Sequence, residues 1–192
     1  ERVTEISQRM YRRYLREVGR FVDIVVVTDD LGTQTSLMVS PAMFRTFIKP
    51  NLAALIATIK SETDAAVLLH SDGAIEPIIP DLIEIGVDIL NPVQTTARGM
   101  DDTRGLKERY GRDLCFHGGI DVQHVLRDLS PDEIEVEVAR RIADLGTDGG
   151  YILAPCHNID GGISPAQTLA MFDSAREHGV YPLGSAKESE AL

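Results

Sequence analysis

The sequence predicts an α/β fold built on parallel strands, and three observations predict it. Short runs rich in Val, Ile and Leu recur along the chain, capped helical segments lie between them, and polar residues gather directly after each run. Apolar runs that do not alternate read as strands buried on both faces, as in a parallel sheet. Regular alternation of such strands with helices is the α/β pattern.

The runs are FVDIVVV (21–27), AAVLLH (65–70), VDILNPV (87–93), LCFHG (114–118) and YILAP (151–155). They predict strands near 22–28, 65–70, 87–91, 114–117 and 150–154. Three of the helices begin with Ser-Pro, at Ser40, Ser130 and Ser164. Ser caps the first free N–H groups, and Pro at the first helical position gives up no hydrogen bond there. Glu133 after Ser130 adds a capping box, and Ile134, Val138 and Ile142 then mark a core-facing stripe. Phe44, Phe47, Ile48, Leu52, Leu55 and Ile59 mark another helix, which Pro50 should kink. Shorter helices are expected near 75–85 and 101–110, and the last one runs to His178 before Gly179. The polar tail, 184–192, is expected to be disordered, leaving 1–183 as the folded part.

Five strands cannot close an eight-stranded barrel, which takes about 250 residues. The residues alone leave two choices: a complete doubly wound domain, or the last five or so units of a (β/α) barrel. With 30 acidic against 19 basic side chains, the net charge of −11 argues against nucleic acid and anionic membranes as partners. No apolar run reaches the roughly 18 residues of a membrane span, and the charged start ERVTEISQRM lacks a signal-peptide core. The two cysteines, Cys115 and Cys156, suggest no disulfide framework, so a cytoplasmic setting is expected. Cys115 lies within a strand run and reads as core.

In parallel α/β proteins the active site lies at the C-terminal strand ends. There the chain places Asp29 and Asp30, then His70 and Asp72, then Gln94 and Arg98, then His117, Gly118, Gly119 and Asp121, and finally Cys156 and His157. His70 and Asp72, two apart, share a strand face, and with a Cys156 thiolate they could form a three-ligand zinc site. The alternative for these residues is structural: a loop hydrogen bond, a helix cap and a small buried side chain. Arg98 suits a substrate carboxylate, gripped in bidentate fashion. The glycines of His117–Asp121 could bring backbone N–H groups near an anion. Asp29 or Asp30 could act as a base or orient a ligand.

TDDLGTQTSLMVSPAMFRTFIKPNL resembles a stretch of the uroporphyrinogen decarboxylase superfamily that reads D-x-x-G, then S-P, then F-x-x-P. GVDILNPVQTTARGMDDTRGLKERYGRDLCFHGGIDVQHVL is similar to its next stretch, and YILAPCHNIDGGISPAQTLAMFDSAREHG to its closing strand and helix. The resemblance implies a TIM barrel whose first strands lie upstream, with its open edges covered by those strands or by a second copy. It also implies one of two activities, decarboxylation of a tetrapyrrole without metal, or zinc-dependent methyl transfer linked to a corrinoid. In the second, zinc is held by H-x-C and a distant Cys, to which His70 and Cys156 correspond while Asp72 replaces the nearer Cys. The expected enzyme is therefore methyltransferase-like, with zinc on His70, Asp72 and Cys156, a small-molecule substrate, a corrinoid as co-substrate and a corrinoid protein as partner. Asp29, Asp30, His117 and His157 are its expected catalytic residues, and Gln94, Arg98, Gly118, Gly119 and Asp121 its substrate contacts. The alternatives are decarboxylation of a tetrapyrrole or polycarboxylate, served by Arg98 and His157, and a corrinoid- or porphyrinoid-binding module without catalysis.

Overall fold

The computed structural model describes residues 2–183; the tail expected to be disordered lies outside them. The chain divides into two compact units: Glu1–Asn91 with Ala97–Gly99, and Pro92–Thr96 with Met100–Leu192.

In the first unit, helix α1 (Arg2–Val18) leads to strand β1 (Ile24–Thr28). Helices α2 (Pro41–Met43) and α3 (Lys49–Lys60) come next, then strand β2 (Ala66–His70), helix α4 (Ile79–Glu84) and strand β3 (Ile89–Asn91). The strands pair in parallel in the order β1-β2-β3. Strand β2, central in this set, is buried across Val67–Leu69, as its unbroken apolar run requires. On β1 only Val25 and Val27 are buried; Ile24 and Val26 are 40% and 51% exposed. Asp81, on α4, is buried and paired with Arg45 and Lys49 at 2.9 and 2.8 Å.

The helix expected to kink at Pro50 is interrupted just before it. Phe44–Ile48 form a π-helical turn between α2 and α3. Such a turn adds one residue, which rotates the rest of the helix by about 100°. Phe44 is buried, whereas Phe47, expected in the core, is 65% exposed.

The second unit contains helix α5 (Thr103–Tyr110), strand β4 (Cys115–Ile120), helices α6 (Val125–Asp128) and α7 (Pro131–Leu145), strand β5 (Tyr151–Pro155) and helix α8 (Pro165–His178). Strands β4 and β5 pair in parallel. Helix α7 packs on α8, and Ile134, Val138 and Ile142 enter a core with Ile120, Leu126, Ile163 and Met171. Ser130 and Ser164 both make full capping boxes, with Glu133 and Gln167. Cys115, expected in the core, is half-buried: it shares with His117 the half-buried face of β4, opposite the buried Phe116.

Every strand pairing described within the units is parallel, and helices separate the strands in sequence. This is the α/β arrangement of consecutive units of a (β/α) barrel. Among the described residues, no helix is long and apolar enough to cross a membrane.

Candidate functional site

In the first unit, parallel pairing brings three strand ends level. Thr28 stands beside His70, and His70 beside Asn91. The loops leaving β1 and β2 are then tied together. Asp29 N–H donates to the His70 carbonyl at 3.0 Å, Leu31 N–H to Ser71 Oγ at 3.0 Å, and Ala74 N–H to the Thr33 carbonyl at 2.8 Å. Two glycines permit this approach. Gly73 has φ +90°, and a Cβ there would run into the Gly32 backbone.

These ties assemble Asp30, His70 and Asp72, whose ligand atoms lie within 4.8 Å of one another. His70 Nε2 is 3.9 Å from Asp30 Oδ1 and 3.8 Å from Asp72 Oδ2. Asp30 Oδ1 also accepts the Asp72 backbone N–H at 3.1 Å. On the far side of the ring, His70 Nδ1 meets Asn91 Oδ1 at 2.6 Å. An amide oxygen can only accept, so Nδ1 carries a proton; in the neutral ring Nε2 is then the nitrogen whose lone pair faces the carboxylates. A histidine oriented by a hydrogen bond on its other nitrogen is the usual preparation for a metal ligand. Bonds of about 2.0–2.2 Å place tetrahedral ligand atoms about 3.3–3.6 Å apart. The observed separations exceed this by a few tenths of an ångström, which the half-exposed Asp30 side chain can close. One imidazole and two carboxylates thus fit zinc, and equally a harder divalent ion.

Asp29 lies beside this group. Desolvation at the strand end, and then the charge of Asp30, push its carboxyl above the ordinary range. A carboxyl raised in this way is a candidate proton donor. Arg98 is exposed and lines an open cavity with the loop after β1.

The other expected residues lie in the second unit. Cys156 is buried at the end of β5, and its thiol points to the carbonyls of Val93 and Pro92 at 3.4 and 3.6 Å. Burial pushes this thiol up to about 12, so at neutral pH it is protonated rather than a thiolate. Val93, one of its acceptors, holds φ +53°, a strained conformation for a β-branched residue. Gly118 and Gly119, expected in a ligand loop, lie within β4 with φ +114° and +82°. Gly119 N–H donates to the Pro92 carbonyl at 2.9 Å, and a Cβ on Gly118 would collide with that same carbonyl. Their glycine character serves backbone packing. Asp121 is buried, and its carboxylate accepts the N–H groups of Gln123, His124 and Val125 at 2.8–3.2 Å, so it closes the turn into α6. His117 is half-buried on β4, and desolvation lowers its imidazole below the usual range, leaving it neutral at pH 7. Gln94 Nε2 donates to Thr96 Oγ1 at 3.3 Å, and His157 is exposed after β5.

Asn91, a polar residue at the end of the third strand run, was given no role from the sequence, yet it orients His70; its signal was that position, level with His70 on the neighbouring strand. A second group of metal-type side chains, Glu135, Glu177 and His178, lies on α7 and α8.

No curated protein matches the chain. Among solved structures it is similar to a methyltransferase from Methanosarcina mazei, with 21% identity and a TM-score of 0.69 over 90% of this chain and 48% of that one. It is also similar to a GH113 β-1,4-mannanase, with 14% identity and a TM-score of 0.51 over 89% of this chain and 62% of that one. The chain therefore spans about half the length of the methyltransferase. At these identities the likeness shows the fold. The family model described as Uroporphyrinogen decarboxylase (URO-D) matches residues 1–178, nearly the whole of the described chain, and the chain belongs to that family.

Proposed function

We propose that this chain forms part of a metal-dependent, methyltransferase-like enzyme of the URO-D family that acts on a small molecule. The observation that carries the reading is the orientation of His70, with Nδ1 satisfied by Asn91 and Nε2 directed at Asp30 and Asp72. The similarity to a methyltransferase from Methanosarcina mazei supports it. Zinc is the proposed ion, held by His70 and Asp72 with Asp30 as a further carboxylate ligand. Cys156, the third ligand expected from the sequence, is buried with its thiol protonated and directed at the Val93 and Pro92 carbonyls, and is left out of the proposed ligand set. Bound zinc would act as a Lewis acid on a thiol or leaving group. The surrounding residues do the rest. Asn91 holds the imidazole tautomer, the tied loops fix the carboxylates, and the raised Asp29 carboxyl can hold a proton near them. A corrinoid carried by a partner protein is the proposed methyl donor, and the cytoplasm, where Cys115 and Cys156 stay reduced, the proposed location. The exposed Ile24 and Val26 of β1 suit a strand that pairs further, with a second copy or with additional barrel units.

Decarboxylation is the second reading. It is favoured by the family description and by Asp29, whose raised carboxyl could protonate a carbanion. Metal content separates the two. The chain, dialysed against limiting zinc, is expected to retain about one equivalent, and His70→Ala and Asp72→Ala to retain far less. Equal zinc in wild type and both variants would remove the methyltransferase-like reading. Loss in Cys156→Ala would add the thiol to the ligand set.

A further inference from the structure

The loops that carry Asp30 and Asp72 continue into a second feature. After Gly32 the chain makes a tight hairpin. Thr33 N–H donates to the Ser36 carbonyl at 2.7 Å, and Met38 N–H to the Leu31 carbonyl at 2.9 Å. Ala74 N–H ties the other loop to Thr33, and Arg98 N–H donates to the Gln34 carbonyl at 2.9 Å. The result is an open cavity of about 490 Å³, within the range of small-molecule sites. Its walls are mostly apolar, with Leu37, Met38, Val39, Pro41, Ala74 and Pro77. Met38 is 64% exposed there. Arg98 supplies the positive charge of the lining, on a main chain that the Gln34 contact fixes. Glu76 is the other charged group of the lining.

An apolar cavity with a guanidinium at its wall matches one ligand type. The apolar part releases water from Leu37, Met38 and Val39, and the charged head forms paired N–H···O bonds with the planar guanidinium fork. Lysine or a backbone donor would not impose that geometry. We propose that this cavity is a binding site for a carboxylic acid with a short apolar body, held head-first on Arg98. It deepens the small-molecule reading above by naming the substrate class, and it rests on that reading only for the ligand's being a substrate.

The test is a binding titration of the full chain with three probes that share one body: hexanoate, 1-hexanol and hexylamine. Hexanoate is expected to bind saturably, and the alcohol and amine about tenfold or more weakly, because they lack a charge-assisted pair with Arg98. Arg98→Gln should weaken hexanoate by about tenfold to a hundredfold while leaving 1-hexanol unchanged, and Arg98→Lys should fall between. The main-chain contact to Gln34 does not depend on the side chain, so the melting temperature of both variants should match wild type. Leu37→Asn, which removes apolar surface without adding charge, should weaken all three probes. Hexanoate binding no tighter than 1-hexanol, or unchanged in Arg98→Gln, would overturn the proposal. Zinc retention measured on the same Arg98 variants keeps the two readings apart: it should stay at the wild-type level whichever way the titration falls.

Discussion

Asn91 Oδ1 lies 2.6 Å from His70 Nδ1, across the ends of two paired strands. The amide decides which ring nitrogen faces the carboxylates. Asn91→Leu should therefore lower zinc affinity by about tenfold to a hundredfold, the usual effect of removing the group that orients a ligand. A competition titration with a chelating dye reads this. Circular dichroism should show an intact fold. Affinity equal to wild type would mean that His70 is not a ligand, or that its tautomer is set elsewhere.

Gly118 cannot accept a side chain. Its φ of +114° and the Pro92 carbonyl in the path of a Cβ both exclude one. Gly118→Ala should destabilise the protein by about 2 kcal/mol or more, read as a lower urea midpoint with unchanged slope. A midpoint within error of wild type would show that the strand can shift.

Asp81 links stability to acid. Its hydrogen bond from Arg45, with Lys49 behind it, holds the carboxyl below the usual range. A carboxyl lowered by folding stabilises above its unfolded value of about 3.9, and that contribution is lost as pH falls through the folded value. Asp81→Asn should thus cost about 1–3 kcal/mol at pH 7. The gap to wild type should stay constant down to about pH 5 and narrow only below pH 4. Urea melts across this range would show it, and a constant gap at pH 3 would contradict it.

Cys156 should be chemically silent. With its thiol pushed up to about 12, about one molecule in ten thousand is thiolate at pH 8. In a Cys115→Ala background, iodoacetamide should label the native protein far more slowly than the urea-unfolded chain. The sign for stability is opposite to that of Asp81. The contribution is complete below the unfolded value of about 8.5 and is lost as pH rises toward 12. Equal labelling of native and unfolded protein would remove this account.

The strands and Ser-Pro helix starts were legible because each rests on a local signal: an apolar run, or a cap within three residues of its helix. The misreadings are where geometry is long-range. Phe47 lies within the π-helical turn Phe44–Ile48 and is exposed, and no local apolar spacing announces such a turn. The pattern 118–119 looked like a loop because two glycines usually mark a turn, whereas here they let β4 pass close to the Pro92 carbonyl. His70 and Asp72 were paired on the expectation of a shared strand face, but β2 ends at His70 and Asp72 lies in the loop beyond it, where its N–H donates to Asp30. That Asp30 lies with them depends on the contact between Gly32 and Gly73, which lie 41 residues apart by number (73 − 32). Nothing local encodes such a distance.

The tie between the loops after β1 and β2 is made largely by main-chain atoms and the Ser71 hydroxyl, with one contribution from a side chain of the site, the Asp30 carboxylate on the Asp72 N–H. The Asp72 carboxylate is therefore a passenger on a frame that does not depend on it, whereas Asp30 is part of that frame. Replacing one donor type by another at position 72 asks for a single codon change and no rebuilding of the backbone. A lineage with such a frame can explore different ions and different chemistries by point mutation, while Gly32 and Gly73 stay fixed.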